Sequence, residues 1–180
     1  MSDLWFAFLR GINLGKRQIR MAELRACLEG DGFTEVGTVV ASGNVRFRTK
    51  GKADAIKART EMLIEAGFGF PVGVILRSEA EFRAMLDGHP FGTLDPKADL
   101  TRHVLMFDRP LPAGLALEDR PGHTEILRID AREIYIAGYR QPDGRYTEGV
   151  EGVLKPLYAR LEKSVLDTMR NWNTMEKMLA

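Results

Sequence analysis

Apolar positions in the first 77 residues switch between two spacings, and each switch marks a change of element. Residues 4–9 (Leu-Trp-Phe-Ala-Phe-Leu) are apolar without interruption, the pattern of a strand buried on both faces. Met21, Leu24 and Leu28 then recur at helical spacing until Gly30 and Gly32 end the run. Thr38-Val39-Val40 and Val45-Arg46-Phe47-Arg48 flank Ala41-Ser42-Gly43-Asn44, where glycine and asparagine accept the positive φ of a hairpin turn. A second helical run begins near Ala53, carries Ile56, Leu63 and Ala66 on its inner face and stops at Gly67-Phe68-Gly69. Pro71-Val72-Gly73-Val74-Ile75-Leu76 supplies a further apolar strand. The order β-α-β-β-α-β is the split βαβ, ferredoxin-like pattern.

The second half is less regular. Ser78 opens a helix carrying Phe82, Met85 and Leu86, and His89-Pro90 and Asp95-Pro96 punctuate a loop before the strand at residues 103–107. Residues 125–129 and 133–136 alternate polar and apolar about Asp130-Ala131, which predicts a hairpin with one wet face. Leu154, Leu157, Tyr158 and Leu161 make an amphipathic helix. With a short helix near Leu115 and Leu117, this half reads as β-α-β-β-α, a degenerate copy of the first without its last strand. Asn173 and Glu176 have capping-box spacing and predict a short C-terminal helix. The expectation is an α+β protein of two packed ferredoxin-like halves, residues 1–77 and 78–180, with mainly antiparallel sheets in one compact unit.

Composition narrows the class. At 44% hydrophobic and 28% charged residues with a net charge of +1, the 180-residue chain has an ordinary globular balance, which excludes disorder as the default. Its longest apolar runs, residues 4–9 and 72–76, are too short to span a bilayer. Cys27 is alone, so it cannot form an intramolecular disulfide, and Met1-Ser2-Asp3 lacks the basic start of a secretion signal. Both predict a cytoplasmic location.

The charge is uneven, and that changes the functional picture. From Arg10 to Arg59 there are eleven lysines and arginines against five acids, a basic stretch inside a near-neutral chain. Two polar knots lie within it, Arg10-Gly11-Ile12-Asn13 and Ser42-Gly43-Asn44, and a third, Arg170-Asn171-Trp172-Asn173-Thr174, lies near the C-terminus. In a ferredoxin-like sheet the first two strands run parallel with the third between them, so the loop leaving the first strand and the hairpin turn share one end of the sheet. The first helix begins there too, and its N-terminus favours anions. Arginine, asparagine, hydroxyls and exposed backbone are groups that hold an anionic ligand. The candidate ligand-binding set is therefore Arg10, Gly11, Asn13, Lys16, Ser42, Gly43 and Asn44, with Arg170, Asn171, Trp172 and Thr174 as a wall or lid.

Motifs for other chemistry are missing. Gly11-Ile12-Asn13-Leu14-Gly15-Lys16 is one residue short of a phosphate-binding P-loop, and Arg17 stands where serine or threonine is required. His89, His103 and His123 are too scattered for a zinc site. Cys27 sits among helical apolar residues as a small hydrophobe, and no Gly-x-Ser-x-Gly elbow occurs. No cofactor, metal or catalytic residue is predicted. Asn44-Val45-Arg46-Phe47 matches an RNA-recognition strand only in part, with asparagine where such modules place an aromatic.

Four segments together, Phe8-Leu9-Arg10-Gly11-Ile12-Asn13, Met21-Ala22-Glu23-Leu24-Arg25, Ser42-Gly43-Asn44-Val45 and Thr168-Met169-Arg170-Asn171-Trp172-Asn173-Thr174, resemble the domain-of-unknown-function 1697 family. The resemblance implies a bacterial soluble protein with two ferredoxin-like halves and no established activity. Three functional expectations follow: a phosphate- or carboxylate-bearing small molecule bound at the knots, nucleic acid bound by the basic surface, or knots that serve structure alone.

Overall fold

The computed structural model describes residues 1–147 and 150–180. Its elements in chain order are β1 (Asp3–Arg10), α1 (Met21–Gly30), β2 (Thr34–Val39), β3 (Asn44–Thr49), α2 (Ala53–Phe68), β4 (Gly73–Ser78), α3 (Glu79–Asp87), β5 (Leu100–Phe107), β6 (Thr124–Ile129), β7 (Glu133–Tyr139), α4 (Val150–Tyr158), β8 (Asp167–Asn171) and α5 (Trp172–Lys177). They fall into two compact units, Met1–Asp87 with Glu176–Ala180, and Gly88–Met175.

The sheet of the first unit has the order β2-β3-β1-β4, with every neighbouring pair antiparallel. This is the arrangement expected of a split βαβ unit. Alternation along β1 sends Trp5, Ala7 and Leu9 to one face, where they pack with Val45, Phe47, Val74 and Leu76 against Leu24 and Leu28 of α1 and Ile56 and Ile64 of α2. Phe6 and Phe8 point to the other face. There Phe82 of α3 stacks on Phe6 with ring centroids 4.1 Å apart and lies 6.1 Å from Phe8. Hence β1 is apolar on both faces because both are covered. The unit extends to Asp87 rather than stopping at Arg77, since α3 buries Phe82 and Met85 on the first sheet. Ser78 and Glu81 form a reciprocal capping box at its start, with the Glu81 N–H donating to Ser78 Oγ at 3.3 Å and the Ser78 N–H to Glu81 Oε2 at 2.8 Å. Arg46 draws the C-terminal residues to this unit by donating to the Met178 carbonyl at 3.2 Å and to an Ala180 oxygen at 2.7 Å.

In the second unit the order is β6-β7-β5-β8, again antiparallel throughout. Two expectations are corrected here. The last strand is present, for β8 pairs with β5 from His103↔Asn171 to Phe107↔Asp167. No helix forms near Leu115 and Leu117; the connection from β5 to β6 is an extended strap whose Leu111, Leu115 and Leu117 pack beside Leu105, Phe107, Ile134, Ile136, Leu154 and Leu157. Gly114 interrupts any helical path with a left-handed φ of 66°, and the strap's own N–H groups look elsewhere, as when Leu111 donates to the Ala131 carbonyl at 2.7 Å. The opposite face of this sheet carries an aromatic cluster in which Trp172 lies 5.3 Å from Phe91 and 5.7 Å from Tyr135.

Candidate functional site

At the end of the first sheet where β1 finishes, the loop of residues 11–20 and the β2–β3 turn are tied together. Phe8 pairs with Asn44, and the Leu9 N–H donates to the Gly43 carbonyl at 2.9 Å. Asn13 completes the tie: its Nδ2 donates to the Ala41 carbonyl at 2.6 Å, while its Oδ1 accepts the Ile19 N–H at 2.8 Å. Its φ of 56° lies in the left-handed region, which asparagine tolerates better than most residues. Gly43 has a stricter reason to be glycine, since at φ 83° a Cβ would sit 2.7 Å from Ile12 Cδ1 and 2.9 Å from Leu9 Cβ. Asn44, wholly buried, donates to the Val39 carbonyl at 3.0 Å and to Ser42 Oγ at 2.9 Å. Asn13 thus reaches across from the loop to the hairpin, while Asn44 braces the hairpin itself. Their polar groups hold loop and turn in place.

What the tie leaves outward is charge. Arg10, Lys16, Arg17 and Arg20 are all exposed around a loop anchored by the buried Ile12 and Ile19. The Arg17 N–H closes a turn onto the Leu14 carbonyl at 3.0 Å, and its guanidinium lies 5.4 Å from the centre of the Phe70 ring. Arg20 is the N-cap of α1 and gives it no side-chain cap; an extended ion pair of 4.0 Å links it to Glu23. An uncapped helix start next to several exposed cations is an electropositive place.

The third knot belongs to the second unit and is absorbed there. Trp172 is 3% exposed inside the aromatic cluster, so its ring faces are taken up by packing. Arg170 donates to Thr168 Oγ1 at 2.6 Å and to the Met169 carbonyl at 3.0 Å, and burial lowers its pKa to about 10. The cap of α5 is Asn171, whose Oδ1 accepts the Asn173 N–H at 2.9 Å, not Asn173 as its spacing to Glu176 suggested. Asn173 instead accepts from Arg102, and Thr174 is half-buried within α5.

Groups that sequence alone left open are also placed. Cys27 is half-buried with its thiol 3.5 Å from the Leu63 carbonyl, and burial with the nearby Asp31 carboxylate pushes its pKa up, away from a nucleophile's range. Glu35 pairs with Arg48 at 3.0 Å. Among the described residues no cluster of three His, Cys, Asp or Glu side chains could hold a metal ion, and no helix is long and apolar enough to cross a membrane. One concavity escaped the sequence reading: a cavity of about 560 Å³ at the opposite end of the same sheet, where β1 begins. Only the registers Leu4↔Arg48 and Trp5↔Ser78 bring its walls together, and no local sequence signal encodes them.

Fold and site together define an α+β protein with a four-stranded ferredoxin-like antiparallel sheet in each of its two units, and a basic loop at one sheet end. The chain belongs to the family described as "protein of unknown function (DUF1697)", whose model matches residues 3–135. That stretch contains the first two knots and ends before the third. The solved structure of the conserved bacterial protein SP0830 from Streptococcus pneumoniae is similar to the chain at 21% identity, covering 99% of this chain and 97% of that one with a TM-score of 0.67. At that identity the likeness speaks for the fold alone. No curated protein matches the chain.

Proposed function

We propose that the loop of residues 11–20 binds the phosphate or carboxylate group of an anionic ligand, with Arg10, Lys16, Arg17 and Arg20 supplying charge and the start of α1 supplying N–H donors. The observation that carries this reading is the clamp through Asn13, which holds a loop of exposed cations against a neighbouring hairpin instead of leaving it mobile. Pre-organised cations and a helix N-terminus stabilise an anion at small entropic cost. In this division of labour Asn13, Ser42, Gly43 and Asn44 are scaffold, and the basic side chains with the backbone of Gly11 make the contacts. Any catalysis there would come from positioning and charge stabilisation, because no general base is built into the loop.

A second reading, nucleic acid in place of a small molecule, is favoured by the exposure of Lys16, Arg17 and Arg20. It would rest on phosphate contacts, since α3 covers the sheet face on which bases would stack. Thermal-shift titrations of wild type and a Lys16→Ala/Arg17→Ala/Arg20→Ala variant separate the readings. The probes are inorganic phosphate, polyphosphate, nucleotides and short RNA at low and high salt. A salt-resistant shift with one small molecule, lost in the variant, supports the first; RNA affinity falling by roughly 0.7 log units per phosphate contact for each tenfold rise in salt supports the second. Shifts that survive the triple substitution, or none at all, overturn both.

A further inference from the structure

The cavity at the far end of the first sheet is built from the start of β1, the end of β3, and the junction of β4 with α3, all within one unit. Its volume of about 560 Å³ suits a small organic molecule. Leu4, Trp5 and Ala80 provide apolar wall, and the charges around them balance: Arg48 and Arg83 against Asp3 and Glu79. A ligand of one net charge gains nothing from such a field, whereas a molecule carrying both signs does.

The unused donors and acceptors say where those signs would go. Asp3 makes no side-chain hydrogen bond or ion pair among the described residues, so an ammonium group can meet it. Arg83 directs Nε and Nη2 to the same oxygen of Glu79, at 2.9 and 2.8 Å, which leaves Nη1 for another acceptor. Arg48 uses Nε on Glu35 at 3.0 Å and Nη1 on the Ser2 carbonyl at 3.4 Å, which leaves Nη2. A guanidinium with donors to spare is the natural partner of a carboxylate. Ser78 is not available, for both its hydroxyl and its N–H serve the capping box with Glu81.

We propose that this cavity binds a zwitterionic small molecule of the α-amino-acid type with an apolar side chain. The ammonium would lie on Asp3, the carboxylate on the spare N–H groups of Arg83 and Arg48, and the side chain against Leu4 and Ala80. This site is separate from the basic loop and does not depend on its function.

The test uses the full chain with L-phenylalanine and L-leucine as probes, followed by calorimetry and by the assigned methyl resonances of Leu4 and Ala80. 3-Phenylpropanoate and 2-phenylethylamine each lack one of the two charges and serve as comparison ligands. The expected result is binding of at least one amino acid with Kd of about 1 mM or tighter, displaced Leu4 and Ala80 methyl resonances, and loss of roughly tenfold or more in affinity for either singly charged analogue. Asp3→Asn and Arg83→Gln are surface substitutions that should preserve the circular dichroism spectrum and each weaken binding by a similar factor. Silence from both amino acids at about ten times that concentration overturns the proposal. Equal binding of an analogue, or affinity unchanged in both variants, overturns it as well.

Discussion

Replacing Asn13 tests whether the polar knots are a scaffold. Asn13→Ala removes the 2.6 Å bond to the Ala41 carbonyl and the 2.8 Å bond from the Ile19 N–H. Each is worth about 0.5–1.5 kcal/mol net, and exposure at this site lets water recover part of the loss, so the two together come to about 1–2 kcal/mol. Alanine must also hold a φ of 56°, which costs roughly 1 kcal/mol more than glycine in the left-handed region. The expected destabilisation is about 2–3 kcal/mol for Asn13→Ala and about 1–2 kcal/mol for Asn13→Gly, which loses the bonds but not the backbone freedom. Urea unfolding followed by circular dichroism measures both, and the alanine variant should melt about 5–10 °C below wild type. An alanine variant within about 0.5 kcal/mol of wild type would refute the clamp. A glycine variant as damaged as the alanine one would refute the backbone part of the reasoning.

Gly43→Ala should lose more than about 2 kcal/mol, because the new methyl meets Ile12 and Leu9 at a positive φ; a variant as stable as wild type in the same unfolding assay would show that the turn can move away. Arg59 bonds both the side chain and the carbonyl of Asp31, reaches Thr49 Oγ1 at 3.4 Å and covers the Phe33 ring at 4.5 Å. Arg59→Ala should therefore cost about 1–3 kcal/mol, and Arg59→Lys should recover little of it, since lysine lacks the planar fork; full recovery in lysine contradicts the bidentate role. Trp172→Ala should remove about 3–5 kcal/mol from the second unit, as expected of a core aromatic, and a near-neutral melting curve would return Trp172 to the surface. The Cys27 thiol has its pKa raised in the folded chain, so its contribution is present below the ordinary thiol pKa near 8.5 and lost as pH climbs from there through the folded value. Cys27→Ala should flatten the alkaline limb of the urea midpoint against pH; thiol reactivity as fast in the folded as in the unfolded chain would overturn that assignment.

Local pattern was sufficient wherever one residue's neighbours in sequence are also its neighbours in energy. The unbroken apolar run of β1, the helical spacing of Leu24 and Leu28, the glycine and asparagine of the hairpin, and the Ser78–Glu81 capping box each declare their element through a short-range physical rule. From these the ferredoxin-like order of the first sheet follows, and with it the meeting of the residue 11–20 loop and the residue 42–44 turn. The strap near Leu115 differs from its expected helix for a local reason too, since Gly114 turns left-handed one residue before that leucine.

Other features exist only because distant segments meet. Strand β8 is short and polar, and nothing in Asp-Thr-Met-Arg-Asn announces a strand; pairing with β5 supplies the hydrogen bonds that make it one. Burial of Trp172 depends on Phe91 and Tyr135, far away in the chain, so its sequence context could not separate core from ligand wall. The same holds for Asn13, which has the chemistry of a ligand contact; only the arrival of the Ala41 carbonyl, 28 positions along the chain, turns it into an internal tie. The sequence by itself determined which segments become strands and helices and where charge collects, because propensity, periodicity and composition act over a few residues. Which polar side chains remain to face a ligand was decided by tertiary structure alone, because a hydrogen-bonding group is used up by whichever partner the fold brings within about 3 Å of it.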